Sequence, residues 1–313
     1  MPNFFDPDHA LKTFADRRHL AALPWPELVA HHEARWAQER PAEEIADLTE
    51  DIAAFGVSGV DAAAAAARWF TVFWLEQSAL SLGLRGALAA GDLRVEGDGP
   101  VRERLAAEGS VIFALPHMGP HFLVHLLLPM LGLGAFGAGK VSAELVSGLR
   151  EVADLHQIQV DEVDGVDFTA DFKQVLASLL WRGSSIALYP EYSRSSRRGG
   201  ATVPFLGRLV HAPTGIARLS QAFGRAVVFV HLRREGPFRY RLVLDAPREA
   251  PVDEAGVIAL TGALFARTED AVRRDPGSWQ GWRFLDVMSN NGVQAVLAGL
   301  VAARGVQLEA AGP

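Results

Sequence analysis

The stretch SVIFALPHMGPHFLVHLLL, Ser110 to Leu128, decides the fold. Its first half is a short, unbroken apolar run, the pattern of a strand buried on both faces. Gly119 and Pro120 then break the chain, and HFLVHLLL resumes as a helix. A buried strand that carries His117 into a turn and then a helix is one unit of an α/β sheet. His121 and His125 follow at four-residue intervals, so the same stretch raises a chemical question.

The pattern repeats on either side. Upstream, LRVEG is a short strand and GPVRERLAAEG a helix between glycines. Downstream come a strand near GAFGAG, a helix over SAELVSGLREVADLH, a strand at IQVDEV and a helix over DFTADFKQVLASLLWRG. SSIALYP is a second buried strand, PTGIARLSQAFG a helix, and RAVVFVHLRRE and FRYRLVLDAP a pair of strands. A closing helix covers about 252–274, and DPGSWQGWRFL leads onward. Residues from about Leu11 to Ala90 read as helical, with Pro26 at a first helical position, Asp61 as a cap and Gly91 as a stop. The expected architecture is α/β: a mostly parallel central sheet flanked by helices, preceded by a helical section. The expected division is 1–91 for that section and 92–313 for the core, with no internal repeat and no linker.

The 313 residues are 49% hydrophobic, enough for a large core, and carry a net charge of −7. That charge argues against a nonspecific nucleic-acid binder, which needs a basic surface. The absence of cysteine removes disulfides, thiolate metal sites and cysteine nucleophiles. The first twenty residues contain no signal-peptide core. The most apolar run, Phe122 to Gly139, holds His125, Pro129 and four glycines, whereas a membrane span needs about 20 apolar residues. The expectation is a soluble, cytoplasmic protein, with peripheral contact at the inner membrane face left open.

In open α/β sheets, ligands gather beyond the carboxyl ends of the strands. SVIFALP ends there on His117, a candidate general base. SSIALYP ends there on EYSRSSRRGG, bringing Glu191 with Arg194, Arg197 and Arg198, a cluster able to grip phosphate or carboxylate. The plainer readings are a loop histidine and a solvated arginine loop. His121 and His125 share the spacing of a zinc pair, but no cysteine or well-placed carboxylate completes a ligand set, so no metal is expected. His125 reads as packing. His211 and His231 read as structural, with His211 near enough to the Pro-Thr-Gly turn to line a pocket. Trp279 and Trp282 read as packing for the last helix, with a membrane-interface anchor as the alternative.

The order of LRVEGDGPVRERLAAEGSVIFALPHMGPHF, GSSIALYPEYSRSSRRGGATVPFLGRLVHAPTGIARLSQAFGRAVVFVHLRR and DPGSWQGWRFL resembles the lysophospholipid acyltransferase superfamily. Within it, the chain is most similar to the lipid A lauroyl/myristoyl and phosphatidylinositol-mannoside acyltransferases, from about Leu93 to Leu285. The resemblance implies a glycerolipid acyltransferase-like fold and transfer of an acyl group from acyl-CoA or acyl carrier protein, as co-substrate, to a hydroxyl or amine. It implies no other cofactor. The family's His-x4-Asp/Glu motif places the base at His117 and its orienting acid at Phe122, which cannot serve. The Glu-Gly-Thr-Arg motif is matched by Glu191, Tyr192, Ser193 and Arg194. Pro213 and Gly215 match a proline-led turn and helix that complete the acyl pocket. No residue clearly matches the family's acceptor-phosphate arginine, and Lys140 lies in roughly that region.

Glu191 is the expected replacement for the missing acid, reaching His117 from the neighbouring strand end. His121 is a second candidate, and loss of catalysis with retained acyl or carrier binding is a third reading. Arg194, with Arg197 or Arg198, and Ser193 would hold donor or acceptor, and Phe122 with Leu126 would line an acyl channel. The acceptor is expected to be a lipid or a small metabolite, the latter as in natural-product assembly.

Overall fold

A computed structural model describes residues 17–137, 143–159, 172–191, 200–285 and 288. The helical section contains α1 (Trp25–Glu39), α2 (Ala42–Phe55), α3 (Ala62–Phe70) and α4 (Gln77–Ala90). Asp61 caps α3 by accepting from the Ala64 N–H at 3.0 Å, and Gly91 ends α4 with a left-handed φ of 75°. Between α3 and α4, Thr71–Glu76 is wound as a π-helix. Such insertions frequently mark functional sites. The sequence reads as one uninterrupted helix here; tertiary packing alters it. Gly83 leaves helical geometry against Trp25, where an added Cβ would stand 2.6 Å from the indole.

The core contains β1 (Leu93–Glu96), α5 (Asp98–Glu108), β2 (Ile112–Ala114), α6 (Val124–Met130), β3 (Phe136–Gly137), α7 (Ala143–Leu155), α8 (Phe172–Trp181) and β4 (Ile186–Leu188). It continues with β5 (Gly200–Phe205), β6 (Arg208–Pro213), α9 (Gly215–Phe223), β7 (Val227–Gly236), β8 (Arg239–Leu244) and α10 (Glu254–Arg274). The main sheet has the order β1-β8-β7-β2-β4-β3, and every neighbouring pair is parallel except β7 with β8. The expected α/β class with a mostly parallel sheet is therefore present.

Strand β2 pairs with β7 on one side and β4 on the other. Its alternation explains its unbroken apolar character. Phe113 points into a cluster shared with Trp25 and Leu28 of α1 and Leu126 of α6, while Ile112 and Ala114 point into one shared with Leu180, Ile216 and Leu264. Both faces are covered by helices, so no position in the strand can be polar. Each such large side chain contributes about 1.5–3 kcal/mol by leaving water.

One local expectation changes, and one element is new. Residues 200–213 form an antiparallel hairpin, β5 with β6, turning at Leu206 and Gly207, both at positive φ (51° and 77°). That is the twist a two-residue hairpin turn requires, here met with an uncommon leucine. Of the expected strand IQVDEV, Ile158 and Gln159 are not in a strand, and 160–163 lie outside the described residues. Among the described residues, no helix is long and apolar enough to cross a membrane.

Candidate active site at two strand ends

β2 and β4 end side by side, because the Leu115 N–H bonds the Leu188 carbonyl at 2.8 Å. The residues that follow must therefore meet: Pro116 and His117 from one strand, Tyr189, Pro190 and Glu191 from the other. Glu191 is buried, with its side chain wholly out of water. Its Oε1 accepts from the backbone N–H of His117 at 2.9 Å and from the Trp279 indole at 3.3 Å. Its Oε2 lies 3.4 Å from His117 Nδ1, the long end of hydrogen-bond range. A carboxylate only accepts, so this contact puts the hydrogen on Nδ1 and leaves Nε2 as the basic nitrogen. The structure thus brings together His117 and Glu191, the pair expected from sequence.

The turn after β2 is fastened from the far end of the chain. Gly119 N–H donates to the Ser278 carbonyl at 2.6 Å, and Gln280 N–H donates to that of His117 at 2.9 Å. Met118 and Trp279 bridge as an antiparallel pair. Gly119 has φ of 61°, and a Cβ there would lie 2.9 Å from the Leu232 carbonyl, so only glycine fits. Trp279 and Trp282 are fully buried, which settles them as packing rather than an exposed anchor.

Tyr189 answers the question of the three histidines. Its ring stacks on His117 with centroids 4.1 Å apart and planes 25° apart. It meets His121 edge-on at 5.5 Å, and its hydroxyl is 3.0 Å from His125 Nε2. Burial pushes His125 down to about 4, so it is a neutral partner for that hydroxyl. His121 lies 5.1 Å from His117 between ring centroids and makes no hydrogen bond to it. Its Nδ1 faces the Gly119 carbonyl at 3.2 Å instead. Burial, and secondarily the nearby His117 charge, hold His121 well below the usual imidazole range. Its other nitrogen has no hydrogen-bond partner among the described residues, an omission that costs about 1–3 kcal/mol for a buried group. His121 therefore does not replace the missing acid.

Phe122 packs against His121 with centroids 4.2 Å apart, and both Phe122 and Leu126 belong to the buried core cluster. Pro213 closes β6 opposite Gly200, and α9 starts two residues later, as the proline-led turn and helix were expected to. His211 sits in that hairpin tight against Gly200, and His231 is buried on β7, pushed down to about 4 chiefly by burial. Ser193, Arg194, Arg197, Arg198 and Lys140 lie outside the described residues. Among the described residues, no group of three or more His, Asp or Glu is placed to hold a metal.

A second buried carboxylate, unforeseen from sequence, is linked to the Gly119 turn through the ring of Tyr240. Glu76, the last residue of the π-helix, takes two hydrogen bonds from Arg234 of β7, Nε to Oε2 at 2.9 Å and Nη2 to Oε1 at 2.7 Å. Tyr240 of β8 donates its hydroxyl to the same carboxylate. Burial opposes the Arg234 charge, but Glu76 outweighs it and raises the guanidinium further above its ordinary value. Burial and the Glu76 charge push the Tyr240 phenol well up. Phe73, from the same π-helix, meets His121 at 6.2 Å between ring centroids. The helical section therefore touches the site directly.

Tyr189, Trp279 and Glu76 were not singled out as site residues from sequence. Tyr189 was within reach of that reasoning: two positions before Glu191 at a strand end, it falls on the same side of the chain. Trp279 and Glu76 gave no local signal, since their partners are 88 and 158 positions away. No protein-family model matches the chain, and a search of curated proteins finds no match.

Proposed function

We propose that the protein is an acyltransferase that moves an acyl group from a thioester donor, acyl-CoA or acyl carrier protein, to a hydroxyl or amine. The observation that carries this reading is the contact of a buried carboxylate, Glu191, with both the backbone and Nδ1 of His117. In this reading His117 Nε2 takes the proton of the nucleophile as that atom attacks the thioester carbonyl. Glu191 stabilises the imidazolium that forms, and His117 then returns the proton to the leaving thiolate. Direct attack of this kind needs no enzyme-bound acyl intermediate, in keeping with a chain that has no cysteine. Tyr189 supports the same step from the ring face, since an imidazolium is attracted to an aromatic π-system. The ordered motifs described above favour the same activity.

Thiol release from octanoyl-CoA in the presence of small alcohols and amines tests the proposal. Wild-type protein is expected to release thiol and form ester or amide, and His117→Ala to lose at least a hundredfold of that rate. Phe122, standing where the family has its acid, favours a second reading: a binding protein for acyl groups or carriers. That reading predicts saturable octanoyl-CoA binding with no thiol release in either protein.

A further inference from the structure

His121 is buried and only half satisfied. Because a carbonyl can only accept, its contact with Gly119 puts the hydrogen on Nδ1 and leaves a lone pair on Nε2. The ring lies among Phe73, His117, Phe122 and Tyr189, which cover that lone pair in the free chain. Nε2 is an acceptor without a donor, one ring away from the proposed base.

We propose that His121 Nε2 is the second hydrogen-bond acceptor of the nucleophile subsite, and that the acyl acceptor is a primary amine rather than an alcohol. This rests on the acyl-transfer reading above. His117 removes one hydrogen from the nucleophile. An alcohol has no other on its reacting atom and would leave Nε2 unpaired in the closed site. A neutral amine has a second N–H to give. The two ring centroids are 5.1 Å apart, and an amine serving both would place its nitrogen about 2.9 Å from Nε2 of each ring. Nε2 is sealed from solvent in the free chain, so the amine reaches it as the neighbouring rings part.

The chemistry balances. The amine nitrogen forms the new C–N bond, the C–S bond breaks with its electron pair leaving on sulfur, and the proton passes from nitrogen through His117 to the thiolate. The second N–H stays on the amide product, bonded to His121. Sites built to pair a substrate hydrogen reject analogues lacking it far more strongly than apolar pockets reject a change of size.

The test uses the full chain with ¹⁵N-labelled histidine and two matched probes, hexylamine and hexanol. Hexylamine is expected to move the unprotonated Nε2 resonance of His121 upfield, as accepting a hydrogen bond does, and hexanol to leave it in place. No shift at saturating hexylamine overturns the proposal, and this arm needs no turnover. If no thiol is released with either probe, acyl transfer fails while the resonance still decides the role of His121. In the kinetic arm, octanoyl-CoA is offered with both probes and the ratio of amide to ester is measured. His121→Phe is expected to lower that ratio at least tenfold. His121→Gln, which keeps an acceptor, should hold it closer to wild type. An unchanged ratio in a folded His121→Phe protein overturns the proposal, and if that variant does not fold, the Gln variant and the resonance arm decide.

Discussion

Glu76 and Glu191 are two buried carboxylates, the first linked to the Gly119 turn through Tyr240 and the second bonded to it directly, and they are partnered in opposite ways. Glu76 is gripped by a permanent cation, Arg234, with Tyr240 filling its remaining capacity. Glu191 is met by a backbone N–H, an indole N–H and the imidazole of His117. The only cation among those named partners is one that exists when His117 takes a proton. The first arrangement fixes two parts of the molecule together. The second holds a charge in waiting. Burial of a carboxylate is thus not by itself a mark of function; the chemistry of its partner decides.

Glu191→Gln puts the second half of that comparison at risk. It keeps the shape and removes the charge, so turnover is expected to fall on the order of 10²–10⁴-fold with little change in donor binding. Steady-state thiol release and octanoyl-CoA titration measure the two quantities, and equal turnover would remove Glu191 from the mechanism. Arg234→Met tests the first half. It strands Glu76 as a buried unpaired charge, and chemical denaturation is expected to show a loss of about 3–5 kcal/mol. Adding Glu76→Gln to it should recover part of that loss, since the stranded charge disappears.

Acid acts on other buried side chains of the core, with a smaller effect. Arg234 stays charged throughout, whereas burial depresses His32, His125 and His231 to about 4 in the folded chain. Unfolded, each titrates near 6.5. The unfolded chain therefore binds the extra protons first. The stability these histidines contribute is complete above about pH 6.5 and is lost as pH falls toward 4, on the order of 1–3 kcal/mol each. Thermal unfolding at stepped pH should show that decline, and His125→Gln should make it shallower by about one proton.

What the sequence disclosed follows from the range of the interactions. β2 and β4 were legible because burial on both faces leaves a continuous apolar run. The meeting of His117 and Glu191 was legible because both stand at the carboxyl ends of such runs. The β5–β6 hairpin was hidden by its turn, where leucine at φ 51° stands in a place usually taken by Asn or Asp. The π-helix was hidden because propensity continues straight through an alanine- and aromatic-rich helix, and its end residue, Glu76, is tied to β7 far along the chain. His121 was weighed as a stand-in for the missing acid. Its Nδ1 bond to Gly119, two residues away, withdraws it from that role.

The clasp on the Gly119 turn has a consequence for how the molecule is made. Glu191 receives the N–H of a residue 74 positions earlier and the indole of one 88 positions later. Both loops must close before the carboxylate is fully held, and long-range closure is slow to reward the chain for the freedom it gives up. A growing polypeptide that has already formed β2 and β4 still lacks Trp279, Ser278 and Gln280. At roughly 5–20 residues per second, the 88 positions between Glu191 and Trp279 take roughly 4–18 s to synthesise. During synthesis, the β2-β4-β3 part of the sheet can assemble before the histidine turn is locked.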